Sequence, residues 1–144
     1  MLNIVVVYES LYVGGSIIQY LSQLKNLAIV GQSREAADAV QMIGAVRPHV
    51  VIIDAELKDG LGLEVLQRTK QFELPPVVFM TAASLYSQYR RECMRQGADY
   101  YFQLPDEIEG LVNTLSQLAS LFSTADKETT SEAENQKKNQ EGIF

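Results

Sequence analysis

The chain is predicted to fold as an α/β domain, a parallel sheet with helices packed on both faces. Two observations predict this. Short apolar runs rich in valine and isoleucine recur along the chain, as strands buried on both faces require. Each run is followed by a segment with apolar residues at helical spacing, and the strand–helix order repeats five times. Alternation of this kind selects a parallel sheet, because a strand can return parallel only through a crossover, usually a helix.

The elements follow in order. Ile4-Val5-Val6-Val7 is the first strand. Ile17, Ile18, Leu21 and Leu24 mark the first helix, after Gly14-Gly15-Ser16. Leu27 to Val30 is a weaker second strand. Ser33 can cap a second helix carrying Ala36, Ala37, Val40 and Ile43, which Gly44 can end. Val50-Val51-Ile52-Ile53 is the third strand, closed by Asp54, and Leu63 and Leu66 share a face of the helix beyond it. Pro75-Pro76 introduces the fourth strand, Val77-Val78-Phe79-Met80. Ser84 can cap the next helix, with Leu85, Tyr89 and Cys93 on one face and Gly97 at its end. Tyr100-Tyr101-Phe102 is the fifth strand, and Asp106 can cap a last helix with the stripe Ile108, Leu111, Leu115, Leu118 and Phe122.

The domain is expected to span residues 1–122. From Ser123 to Gln140 there is no Val, Ile, Leu or aromatic residue. Such a stretch cannot bury enough apolar area to offset its ordering. Residues 123–144 are therefore expected to be a polar tail or linker, flexible or a solvated extension of the last helix.

Composition narrows the function. The chain of 144 residues carries 12 basic and 18 acidic residues, net charge −6, without the basic footprint that direct nucleic-acid binding needs. No apolar stretch approaches the ~20 residues of a membrane span. One cysteine, Cys93, excludes an internal disulfide. A cytoplasmic protein with a protein partner or a cation site is expected. The first strand leads into Tyr8-Glu9-Ser10-Leu11-Tyr12-Val13-Gly14-Gly15, which is neither a P-loop nor a G-x-G-x-x-G, so a nucleotide binder of similar topology is disfavoured.

In a doubly wound sheet, ligand sites lie outside the carboxyl ends of the strands. Those ends carry Tyr8-Glu9, Asp54, Thr81-Ala82 and Leu104-Pro105. Three segments matter together: Asp54-Ala55-Glu56-Leu57-Lys58-Asp59-Gly60-Leu61-Gly62, Val77 to Ala82, and Gly97 to Pro105. In order and spacing they resemble the receiver domain of two-component response regulators. The resemblance implies a flavodoxin-like (βα)5 fold, CheY-like, with strand order 2-1-3-4-5. It implies a phosphorelay signalling module rather than an enzyme, a phosphoprotein with Asp54 as phospho-acceptor. Glu9, Asp54 and the backbone carbonyl of Glu56 would hold Mg²⁺. Thr81 would bond a phosphoryl oxygen, Ala82 would leave room for it, and Tyr101 would be the aromatic that switches with Thr81. A histidine kinase or phosphotransfer protein would supply the phosphoryl group. A downstream protein or output domain would meet the face of helix 4, strand 5 and helix 5, and a homodimer stays open.

Three positions depart from the family pattern and make the receiver atypical; one is Glu56, two after Asp54, whose carboxylate can overlook the pocket and would repel a phosphoryl group. Leu104 stands where the family carries a lysine, and Tyr8 where it carries the first of two acids. Each removes charge that phosphoryl transfer uses, so Mg²⁺ should be held weakly and phosphorylation should be slow. The competing reading is a pseudo-receiver that acts as an interaction module without phosphorylation. Lys58, in the loop where the family usually has proline, is an alternative source of the missing charge, but a loop lysine is ordinarily solvated.

Overall fold

The computed structural model describes residues 1–9, 11–57, 60–83 and 87–122. Its main sheet has five strands: β1 Leu2–Val7, β2 Leu27–Ser33, β3 Val50–Asp54, β4 Val77–Ala82 and β5 Tyr100–Gln103. Between them lie α1 Leu11–Ser22, α2 Ala36–Val46, α3 Gly62–Lys70 and α4 Ser87–Arg95, and α5 spans 108–122. The strands are all parallel in the order β2-β1-β3-β4-β5, as expected. A two-residue hairpin, Glu56–Leu57 against Gly60–Leu61, follows β3. Among the described residues, no helix is long and apolar enough to cross a membrane.

The sheet is apolar on both faces because successive side chains of a strand point to opposite sides. In β1, Val5 and Val7 pack with Ile43, Val65, Leu66 and Cys93, while Ile4 and Val6 pack with Ile17, Leu21, Leu111 and Leu115. The first cluster joins α2, α3 and α4 to one face, and the second joins α1 and α5 to the other. Each such leucine or isoleucine contributes roughly 1.5–3 kcal/mol by leaving water.

Several boundaries differ from the expectation, each for a local reason. Strand β2 continues past Val30 to Ser33. The register with β1 shifts there, pairing Ile4 with Ile29 and Val5 with Gly31, so Val30 bulges outward at 39% exposure. The bulge breaks the alternation that a sequence reading follows. Ser33 does not cap α2. It ends β2, and its hydroxyl accepts from the Glu35 N–H at 3.3 Å and donates to the Glu35 carbonyl at 3.1 Å, a turn into the helix. The N-cap position belongs to Glu35, without a side-chain cap bond.

Gly44 does not end α2 either. The helix runs to Val46, and Arg47 takes the left-handed conformation (φ 53°), its N–H bonding the Ile43 carbonyl at 2.9 Å. Helix α5 starts at residue 108, so Glu107, not Asp106, precedes it, and the Glu107 carbonyl accepts from Leu111 N–H at 3.1 Å. Gly97 does close α4's end as expected, at φ 102°. Its N–H bonds the Met94 carbonyl at 3.2 Å, and Ala98 N–H bonds that of Cys93 at 3.0 Å. The expected cap Ser84, with Leu85 and Tyr86, lies outside the described residues, as do Lys58 and residues 123–144.

Candidate functional site

The carboxyl ends of β1, β3, β4 and β5 open onto one edge of the sheet. Asp54 is the last residue of β3 and pairs in register with Thr81 of β4. Strand β3 can place a carboxylate there because its preceding residues, Val50 to Ile53, are fully buried and fix the strand from both sides. Beyond Asp54 the chain turns sharply. Ala55 N–H donates to the Thr81 carbonyl at 2.7 Å, and Gly62 N–H donates to the Ala55 carbonyl at 3.0 Å. The loop thus folds back on itself, with Gly62 pressed against the Asp54 and Ala55 backbone.

The Asp54 carboxylate is held by backbone. Its Oδ1 accepts from Glu56 N–H at 2.9 Å, and the Glu9 N–H bonds it as well. Burial nevertheless pushes its pKa above the ordinary value of 3.8; the two N–H bonds oppose this, and the nearby Glu56 and Glu9 charges reinforce it. A group whose pKa is raised on folding stabilises the fold below its unfolded value, and that contribution is lost as pH rises through the folded value. Asp54→Asn, which removes the charge and keeps the shape, is therefore expected to raise the melting temperature at neutral pH. The gain should vanish below about pH 3, where both states of the wild type are protonated. Thermal denaturation at the two pH values checks this. A variant less stable than wild type at neutral pH would mean that the N–H bonds outweigh burial.

Glu9 follows β1. Its Oε2 is buried and has no hydrogen-bond partner. Its carbonyl accepts from Arg34 Nη2 at 3.0 Å and from Nε at 3.3 Å. Arg34 thus holds the peptide whose neighbouring N–H faces Asp54. Sequence reasoning missed it, and an arginine in the turn after a strand offers no signal of such a contact.

Thr81 and Ala82 are each 2% exposed, at the end of β4. Tyr101 is buried in β5 among Ala82, Leu57 and Cys93. The Arg90 guanidinium lies 5.0 Å above its ring centroid, and burial pushes the phenol pKa up to about 12. Arg90 also pairs with Glu107 at 2.6 Å, and the same Glu107 oxygen accepts from Gln103 N–H at 2.8 Å. Both side chains of that pair are substantially exposed, so the pair itself contributes little.

Leu104 and Tyr8 are both packed side chains. Leu104 is 5% exposed and Tyr8 8%, and both belong to the apolar cluster under α1 and α5. Tyr8 turns its hydroxyl away, donating to Gln32 Oε1 at 3.2 Å. Leu104 N–H bonds the Ala82 carbonyl at 2.8 Å, and the Leu104–Pro105 peptide is cis.

Could the residues present hold Mg²⁺? The unpartnered Glu9 Oε2, the Asp54 carboxylate and the Glu56 carbonyl are hard oxygen donors of the right kind. Among the described residues no group of three or more His, Cys, Asp or Glu is placed to hold a metal. Mg²⁺ commonly binds through one or two carboxylates, keeping several waters, so the donor set fits a loosely held ion.

Fold and site together define a receiver-type module: a doubly wound sheet with an aspartate at the end of its central strand. The chain belongs to the response regulator receiver domain family of two-component signalling, whose model matches residues 4–116. It is 30% identical over 118 residues to the sensory transduction protein LytT of Bacillus cereus, an alignment covering 81% of this chain and 47% of that protein. It is 25% identical over 118 residues to an uncharacterized response regulatory protein of Vibrio cholerae, covering 82% and 48%. The chain thus spans about half the length of these curated relatives. The receiver domain of the response regulator NarL from Mycobacterium tuberculosis superposes with a TM-score of 0.74 at 21% identity, covering 83% of this chain and 96% of that one.

Proposed function

We propose that this domain accepts a phosphoryl group on Asp54, slowly, from a histidine kinase or phosphotransfer protein. The observation that carries the reading is Asp54 itself, last residue of β3, half-buried and bonded by two backbone N–H groups beside the unpartnered Glu9 oxygen. An Asp54 oxygen attacks the donor's phosphorus and an acyl phosphate P–O bond forms. The donor's P–N bond breaks, or its P–O bond in a small acyl phosphate, and the electron pair leaves with the donor. Mg²⁺, held by Glu9, Asp54 and the Glu56 carbonyl, would supply charge neutralisation on the transferred oxygens.

The remaining assignments belong to the same proposal. The Thr81 hydroxyl would meet a phosphoryl oxygen, because Thr81 lies beside Asp54 in register. Ala82 would leave the approach clear, and Tyr101 would respond through β5. The downstream partner would meet the face of α4, β5 and α5, where Arg90, Tyr101 and Glu107 tie the three elements together. Removing a preorganised donor at a transferring group typically costs about 3–4 kcal/mol in the transition state, which is the expected penalty for leucine at position 104. Residues 1–122 would be the signalling unit and 123–144 a tail or linker. Incubation with acetyl phosphate and Mg²⁺, read by intact mass, is expected to give a slow single adduct that Asp54→Asn lacks. An equal adduct on that variant would sink the assignment.

A further inference from the structure

We propose that the groove between the carboxyl end of α2 and the loop before β4 is a docking site for Ile143-Phe144 of this same chain. The groove encloses ≈ 410 Å³ and is floored by Ile43, Gly44, Pro48, Phe72 and Pro76, with Leu74 on its lip. That volume is in the range of small recognition pockets. It lies at the end of the sheet opposite Asp54, since Pro48 precedes β3 and Pro76 precedes β4. The proposal is thus independent of the phosphoryl chemistry.

Three observations choose the occupant. First, the groove is open because of glycine. A Cβ on Gly44 would stand 3.6 Å from the Phe72 ring, so a larger residue there would begin to fill it. Second, apolar surface is left uncovered beside it: Leu74 is 90% exposed and Val46 41%. Third, the chain leaves α5 next door. The Phe122 ring lies 4.3 Å from that of His49, and His49 adjoins Pro48 of the groove wall.

The sequence beyond Phe122 supplies the ligand. Ser123 to Gln140 carries no Val, Ile, Leu or aromatic residue, and then Ile143 and Phe144 stand side by side. At ~3.3–3.6 Å per extended residue, the intervening stretch far exceeds what the short crossing around His49 needs. A ligand on such a tether sits at an effective concentration in the millimolar range, so a weak apolar contact is enough. Glu141 precedes the pair and Arg47 lines the groove, a complementary contact that Glu73 on the same lining partly offsets.

A nitroxide on Gln140→Cys tests this in the full chain. Cys93 stays unlabelled, being buried with its thiol pKa pushed up to about 11. The amide NMR signals of Gly44 and Leu74 are expected to lose most of their intensity, and to recover it in Ile143→Ser/Phe144→Ser. Leu74→Asp, at a site too exposed to matter for folding, should likewise restore the Gly44 signal. Sharp Gly44 and Leu74 signals in the labelled parent would overturn the proposal, as would broadening that survives loss of the apolar pair. Broadening carried over to an unlabelled, isotope-enriched copy mixed in would place the pair in a neighbour's groove, which also overturns docking within one chain.

Discussion

Leu104→Lys is expected to lower the stability of the fold by about 3–5 kcal/mol, the cost of an uncompensated buried charge, rather than to restore the site. Read from sequence, this substitution returns the lysine that the family carries, so a partial gain of phosphorylation is the natural expectation. The packing argues otherwise. Leu104 is 5% exposed in an apolar cluster with Tyr8, Phe79, Leu111 and Leu115. The long lysine stem can carry part of the charge toward water, which makes the lower end of the range the better figure. Desolvation would lower the lysine's folded pKa, so the lost stability should return as pH rises. Tyr8→Asp/Leu104→Lys, which supplies the counter-charge, should recover much of the loss. Denaturant unfolding of both variants at two pH values reads all three effects. A single variant as stable as wild type would show that the lysine finds solvent directly.

Gly62→Ala should be nearly as damaging and should silence Asp54 while leaving its carboxylate in the sequence. A Cβ at Gly62 would run into the Asp54 carbonyl oxygen and come within 2.8 Å of Ala55 Cα. Both obstacles are backbone, so no side chain can swing aside. Overpacking of this kind costs about 3 kcal/mol, near the top of its usual range. The relief available is to move the loop after β3, which would break the Gly62 N–H bond to Ala55 and shift the Glu56 N–H that holds Asp54. Loss of the phosphoryl adduct in a variant still folded would carry that signature. An unchanged unfolding midpoint would mean that the loop relaxes at no cost.

These two positions also mark what could be read from the sequence. Gly62 was visible as part of a spaced loop motif, but not the reason for it, a backbone contact that closes on itself. Leu104 and Tyr8 were visible as missing charges. Their packing in one apolar cluster was not, because they lie at opposite ends of the domain sequence and join that cluster only once β1 and β5 belong to one sheet. The strands were legible because both faces of the sheet are covered, which leaves valine and isoleucine in unbroken runs. Helix ends were less so: Ser33, Gly44 and Asp106 have the right side chains to cap or stop a helix, but a turn, Arg47 and Glu107 take those places. Arg34 left no trace, since its partner is the Glu9 carbonyl, and every residue has one.

The proposed function keeps Asp54 as the acceptor and has packing at Tyr8 and Leu104 in place of the charges that would drive transfer. Its most direct measurement is the time course of the acetyl phosphate adduct across Mg²⁺ concentrations, for the wild type and Asp54→Asn. A slow adduct that maps to Asp54, forms faster with Mg²⁺ and is missing from the variant is the predicted result. A folded wild type that gains no adduct at any Mg²⁺ concentration would contradict it, leaving a domain that keeps the receiver's shape without its chemistry.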